Sequence, residues 1–374
     1  MDITLKDGQI TGGFSPSDAV FAGTAAACAA DRIIIGRSGV ERAAELGVIS
    51  GILAGGKNVI SLGRCLETEL FFASRLAKCG LCIYIKDEPI LKLDLRERGG
   101  LPLISDNERI ISSAMLSKKF SESRIHEGTL ADGAGFREVY RQHIEGIIPE
   151  NCPYSIKISS SSPVCEQILL NRKGESELVV QLSPDGMKSA LYSDKSGFVP
   201  YDKLVFICCN DLFSEGCDAA LPFNFTFAAE EFAKTKGRHI YRYYKSGNGT
   251  ADRAARKLAK EQCFTLDGFY LAAKVIGILC RRNITLKQAV AELPDFYTAK
   301  RFINVSKGRA RDAIKLREGR TTPDGTAYTG NSSRVIVKPS SSGRGIWLSV
   351  ESHSMEAASE LCGEIEEKIK GSTI

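Results

Sequence analysis

Residues 32–85 constrain the fold more than any other part of the chain. Ile33, Ile34 and Ile35 form a β-branched run that ends at Gly36. Ser38 with Glu41 three residues later has the pattern of a capping box, so a helix is predicted to start there. Ala43, Ala44, Val48, Gly51 and Ile52 keep an apolar face up to Gly55 and Gly56, which supply left-handed geometry at a helix C-terminus. Val59, Ile60 and Leu62 then read as a second strand, residues 67–78 as a second helix and residues 81–85 as a third strand. Three strands joined by two helices imply right-handed crossovers and a parallel sheet.

The pattern returns less cleanly further on. Residues 154–158 and 178–182 read as strands separated by a short helical stretch at 164–170, followed by a hairpin through Asp194, Lys195 and Gly197. From Tyr201 a helix, the segment 223–234, a strand at 239–243 and helices around 251–261 and 267–281 make a third unit. After Pro294 the composition changes. A basic helix over 301–320, a Gly, Ser and Thr-rich turn region at 319–333, strands at 334–337 and 346–350 and a final helix at 355–370 predict an α+β cap. At 374 residues the chain exceeds one ordinary core, since single cores stop growing at roughly 250–300 residues.

Composition narrows the classes of function. A chain that is 43% hydrophobic and 25% charged has the balance of a soluble globular protein, and its 50 basic against 45 acidic residues suit anionic ligands without calling for nucleic acid. The basic run from Arg301 to Arg320, with Ala310, Ala313, Ile314 and Leu316 at helical spacing, reads as a solvated helix face. His126, His143, His239 and His353 share no metal spacing, and Cys79 and Cys82 form a CxxC without a second pair, so no zinc site is predicted. Both cysteines flank a buried strand start, where apolar packing is their expected role. The cysteines lack the tight spacing of a disulfide scaffold, and Met1 and Asp2 precede no basic and apolar leader, so a cytoplasmic location is expected. The best apolar run, 269–280, is interrupted by Lys274 and is shorter than the roughly 18 residues of a membrane span, so no membrane association is expected.

The order of these pieces resembles the α-D-phosphohexomutase superfamily, which includes phosphoglucomutase, phosphomannomutase and phosphoglucosamine mutase. Gly36-Arg37-Ser38, the helix to Gly55-Gly56 and the strand that follows look like the family's V-V-G-R-D segment and second βα unit. Leu266-Asp267-Gly268 resembles the D-G that opens the third-domain helix, and Lys338-Pro339-Ser340-Ser341-Ser342-Gly343 looks like the R-P-S-G-T-E phosphate-binding loop, with Glu351 where that strand ends. The resemblance covers essentially the whole chain. It implies a four-domain α/β architecture: three related α/β domains with mixed sheets at 1–148, 149–200 and 201–299, and a C-terminal α+β domain at 300–374.

The family's four cleft loops are unevenly matched. Its first loop, A-S-H-N-P, carries the serine that relays the phosphoryl group; here, within residues 84–92, Lys86 stands at the serine and Asp87 at the histidine. Asp87 could in principle act as an acyl-phosphate nucleophile, but between Lys86 and Glu88 a solvated loop residue is expected. The second loop, D-G-D-A-D-R, holds Mg²⁺ through three carboxylates. Within residues 183–189 those positions fall on Pro184, Gly186 and Lys188, with Ser189 at the arginine and Asp185 as the one carboxylate nearby. Lys188 either replaces the cation's charge or points into water, and the second is expected. The sugar-recognition loop, G-E-x-S-G-H, is missing; Gly247-Asn248-Gly249-Thr250 reads as a helix-initiating turn with Thr250 as cap. Asp7-Gly8-Gln9-Ile10-Thr11-Gly12 is similar to the family's D-G-I-R-G without its arginine.

The fourth loop, 338–344, survives best. Ser340, Ser341 and Ser342 can donate to a phosphate, and Lys338 or Arg344 can supply charge. The expected function is therefore a phosphohexomutase-like protein without catalysis, a pseudoenzyme that binds a phosphorylated sugar or a protein partner and needs no cofactor. The alternative is an active, divergent phosphoglucomutase or phosphomannomutase of carbohydrate metabolism, an intramolecular phosphotransferase that would require Mg²⁺.

Overall fold

The computed structural model describes residues 3–39, 42–86, 90–117, 127–161, 174–245, 247, 249–305, 320–322, 324–330, 333–340 and 345–371. The first sheet is built around β3 (Arg32–Arg37), which pairs in parallel with β4 (Asn58–Arg64) and β5 (Leu81–Lys86). Its other members are β1 (Thr4–Lys6), β2 (Gln9–Thr11), β6 (Lys92–Glu97) and β7 (Leu130–Asp132), in the order β1-β2-β6-β5-β3-β4-β7. Side chains alternate faces along a strand. Ile33, Ile35, Ile83 and Ile85 therefore pack beneath α1 (Pro16–Ala26) and α2 (Ala43–Ala54), with α4 (Ser105–Ser117) beside them. Ile34, Cys82 and Tyr84 pack under α3 (Glu67–Leu76) instead. Because both faces are covered, β3 is a continuous apolar run. Cys79 and Cys82 are buried, as expected of packing residues, and burial pushes their thiols up to about 11 and about 12.

The first helix after β3 begins later than the sequence pattern predicts. Ser38 donates its backbone N–H and its hydroxyl to the Ile85 carbonyl, at 2.9 and 3.3 Å, so it fastens β3 to the end of β5. The N-cap of α2 is Arg42. Glu41 lies outside the described residues, as does the helical stretch predicted at 164–170.

The second sheet is mixed. β8 (Tyr154–Ser160) runs parallel to β9 (Ser176–Leu182), which pairs antiparallel with β10 (Ser189–Ser193), and β10 turns into β11 (Gly197–Val199). A third, parallel pair joins β12 (Ala219–Pro222) to β13 (Ile240–Tyr243). One core runs through both: α5 (Phe136–Glu145), α6 (Tyr201–Ser214), α7 (Ala228–Thr235) and α9 (Gly268–Arg282) contribute to a cluster extending from Leu66 to Leu293. Between α7 and α9, α8 (Thr250–Gln262) covers the β12–β13 pair. A short α10 (Leu286–Ala291) adds Leu286 and Ala289 to the same core. Among the described residues no helix is long and apolar enough to cross a membrane.

The last sheet has the order β14-β18-β17-β16-β15 and is antiparallel throughout. Its strands are β14 (Tyr297–Asn304), β15 (Arg320–Thr322), β16 (Gly325–Thr329), β17 (Ser333–Pro339) and β18 (Gly345–Ser352). The final helix, α11 (Met355–Gly371), covers the face bearing Ile303, Val335, Val337, Ile346, Leu348 and Val350. Residues 301–304 correct the predicted basic helix: they are strand, because pairing with β18 satisfies the β14 backbone while Ile303 is the one buried side chain among them. Residues 306–319 lie outside the described residues.

Glu351 fastens this sheet to the third unit. Its carboxylate accepts from the N–H groups of Phe227 at 2.7 Å and Ala228 at 2.8 Å and from the Thr226 hydroxyl, satisfying donors at the start of α7 that have no partner within the helix. From β17, Arg334 donates to the carbonyls of Phe223 and Phe225, both at 3.3 Å. Replacing Glu351→Ala is expected to lower unfolding free energy by about 1–3 kcal/mol, since it strands two backbone donors; chemical denaturation of the purified variant checks it, and an unchanged midpoint would refute the anchoring role.

Candidate functional site: a cleft between the four sheets

A cleft of about 260 Å³ opens where the sheets converge. Arg96 of β6 lines one wall, Lys188, Tyr201 and Asp202 a second, Thr226, Tyr243 and Leu266 a third, and Thr298, Lys300, Arg334, Ser349 and Glu351 of the last sheet a fourth. Arg334 is 7% exposed, with its guanidinium over the rings of Phe223 and Phe227 at 5.1 and 5.6 Å. Burial, with Arg242 acting in the same direction, holds its pKa below the usual arginine value.

Lys86 ends β5, beside this cleft, and is committed to buried charge. Its ammonium lies 2.5 Å from Glu67 and 3.5 Å from Asp94, carboxylates that are 3% and 2% exposed. Asp94 is also gripped by Arg96 through two hydrogen bonds at 2.9 and 3.1 Å. Burial disfavours the Lys86 ammonium, but Glu67 and Asp94 outweigh that penalty and hold its pKa above the ordinary lysine value. The position matched to the family's nucleophile is thus a cation in a four-member charge cluster. Asp87, Glu88 and Pro89 lie outside the described residues.

The segment matched to the metal loop is a tight turn. Gly186, at φ +73°, returns its N–H to Ser183 O at 2.8 Å, while Asp185 Oδ1 accepts from the Ser183 hydroxyl at 2.6 Å and from Met187 N–H at 3.0 Å. Pro184 is exposed, and Gly186 is buried against Phe269 and Thr68. Lys188 is exposed to solvent. It lines the cleft with its ammonium 5.3 Å from the centre of the Tyr201 ring. The donor set does not fit Mg²⁺: Asp185 is the turn's single carboxylate and is consumed by the turn itself. Among the described residues no group of three His, Cys, Asp or Glu is placed to hold a metal.

Asp267-Gly268 has a role beyond opening α9. Gly268 donates its N–H to Gly186 O at 3.0 Å, and a Cβ at 268 would lie 2.6 Å from that oxygen, so only glycine lets the helix press against the turn. Asp267 caps α9 through Tyr270 N–H at 3.0 Å and accepts from the buried Tyr140 hydroxyl at 3.0 Å. Burial raises its carboxyl from the ordinary 3.8 to about 6.

The remaining loops divide. At the turn read in place of the sugar loop the helix cap is Gly249, not Thr250, and Asp252 spends its carboxylate on Arg256 at 2.6 Å and Tyr244 N–H at 2.8 Å. At the fourth loop Ser340 is 8% exposed and closes the turn through its N–H to Gly345 O at 2.8 Å, while Lys338 is half-buried on β17. Ser341, Ser342 and Arg344 lie outside the described residues. Lys300, Arg334 and Asp202 escaped the sequence reading. Alternation of Arg334, Ile336 and Lys338 on one strand was the available signal for Arg334; nothing local marks Asp202, whose carboxyl is raised by burial against the opposing pull of Lys300 and Lys188.

A solved phosphoglucomutase/phosphomannomutase family protein from Burkholderia thailandensis matches over 99% of this chain and 98% of its own, with a TM-score of 0.74 at 13% identity. The chain has the α-D-phosphohexomutase fold. A Thermus thermophilus structure carrying the name putative phosphomannomutase matches over 99% of both chains, with a TM-score of 0.70 at 14% identity. In sequence, a "Probable phosphoglucosamine mutase" of Thermococcus kodakarensis is 22% identical over 86% of each chain. No protein-family model matches the chain. The α/β architecture with mixed sheets read from the sequence is thus the phosphohexomutase one from end to end.

Two outcomes follow from the buried charges. Lys86→Ala leaves Glu67 and Asp94 short of a cation and is expected to cost about 3–5 kcal/mol in denaturant unfolding; a loss under about 1 kcal/mol would mean that the cluster is not held as described. For Asp267 the folded state keeps its proton between pH 3.8 and about 6 while the unfolded chain releases it. This group's contribution to stability therefore falls as pH rises through that window and is flat above it. Asp267→Asn should remove about 3 kcal/mol of that dependence; parallel pH–stability curves for the two proteins would overturn the assignment.

Proposed function

We propose that the protein binds a phosphorylated sugar in the cleft between its four sheets without running the phosphoserine relay of the phosphohexomutases. The observation that carries this reading is Lys86, a cation paired with Glu67 and Asp94 where a relay needs a free hydroxyl. Lys188 and Lys300 line the cleft and form no salt bridge among the described residues, which leaves them available to a phosphate. The same reading divides the chain at 148, 200 and 299, with Lys338, Ser340, Ser341, Ser342 and Arg344 as the phosphate-binding residues and Lys188 taking over charge that a metal would supply.

A second reading, an active divergent mutase, is favoured by the likeness to a named phosphoglucosamine mutase across 86% of the chain and by the retained four-sided cleft. One assay separates them. With Mg²⁺, a hexose 1-phosphate and a trace of the hexose bisphosphate, the proposal expects no 6-phosphate above background; turnover that disappears in Asp87→Asn would establish the mutase instead. Hexose 1-phosphate should also raise the melting temperature, and Lys188→Ala should weaken its binding about tenfold by calorimetry. Absence of any heat or melting shift would reject the ligand.

A further inference from the structure

The outward face of the last sheet continues beyond the cleft as an ordered series of cross-strand rows. Register places Thr298, Glu351 and Arg334 in one row on the cleft wall, Lys300, Ser349 and Ile336 in the next, and Phe302, Trp347 and Lys338 in the third. Successive rows are two residues, or about 7 Å, apart along the strands. The opposite face is the apolar core under α11, so all three rows point away from it.

The third row is unusual for a folded domain. Trp347 is 52% exposed and Phe302 41% exposed, although large aromatic side chains are normally among the best buried. Their rings are 5.0 Å apart at 57°, and they are held there: the Phe302 ring lies over Gly345, where a Cβ would come within 2.4 Å of it. Lys338 adjoins Trp347 across the strand and Lys300 lies one row inward. Neither lysine forms a salt bridge among the described residues. Asn304, two residues beyond Phe302 on the same face, is exposed.

We propose that this row is a stacking platform for the base of a nucleoside monophosphate, with the phosphate held between Lys300 and Lys338. An aromatic ring stacks on the π-face of any base, and a cation beside the ring meets the phosphate that the base carries. The amide of Asn304 offers both a donor and an acceptor to a base edge. A sugar would ask for more: its hydroxyls need several fixed acceptors, whereas the third row supplies two rings and a cation, and Glu351, the nearest carboxylate on this face, is already spent on α7. The platform shares Lys300 and Lys338 with the phosphosugar reading, but its rings lie outside the cleft lining and it does not depend on that reading.

Trp347 is the chain's single tryptophan, so its fluorescence reports this position alone. Emission should be followed with excitation at the red edge of tryptophan absorption, where adenine does not absorb, during titration with AMP, adenosine, ribose 5-phosphate and glucose 1-phosphate. AMP is expected to quench saturably and to bind about tenfold more tightly than adenosine or ribose 5-phosphate. Lys300→Ala/Lys338→Ala, with both changes on the outward face, should weaken AMP about tenfold while leaving the unliganded spectrum unchanged. The proposal is overturned if AMP gives no saturable quenching, or if ribose 5-phosphate or glucose 1-phosphate acts as strongly as AMP. A glucose 1-phosphate melting shift without quenching would uphold the cleft reading independently, so the two ideas fail separately.

Discussion

Two carboxylates buried against the first sheet set the terms for everything around them. Glu67 opens α3 and Asp94 lies in β6, each almost wholly shielded from water, and an uncompensated charge in such a place is among the costliest things a fold can contain. Lys86 and Arg96 supply the compensation. Because Arg96 also lines the cleft, neutralising the interior and shaping the cleft wall are one task for that side chain. A lysine at the end of β5 is consequently structural before it is anything else, and no neutral side chain could take its place without leaving the carboxylates exposed to each other.

Much of this architecture was legible in the chain. The apolar triplet at Ile33–Ile35 announced a strand covered on both faces, and Gly55, Gly56 and the later Asp267-Gly268 marked where helices stop and start. What escaped the reading had a common cause. Ser38 and Glu41 carry the local pattern of a cap, but Ser38 is used by Ile85, forty-seven positions away in sequence. Residues 301–304 have a composition a helix would accept, yet pairing with β18 makes them strand. Local pattern records local preference, and these segments are settled by distant partners.

The site divides along the same line. Lys86, Gly186 and Lys188 could be placed by counting along matched loops, because each keeps its distance from a recognisable turn. Lys300, Arg334 and Asp202 could not: they meet only when the last sheet docks against the second and third units, and that docking depends on Glu351 reaching the backbone at Phe227 and Ala228. Gly268 is the instructive middle case. The dipeptide is visible as a helix start, while its contact with the turn at Gly186 exists only in the folded chain.

The shared interior from Leu66 to Leu293 carries a consequence for how such a protein can diverge. Where each lobe has its own core, a lobe can loosen or be lost while the others stand. Here the middle lobes share one core, so a destabilising change in either is expected to be felt in both. Substitutions at the rims of the sheets leave that shared interior untouched, so a cleft loop can change its chemistry while the scaffold beneath it stays the same.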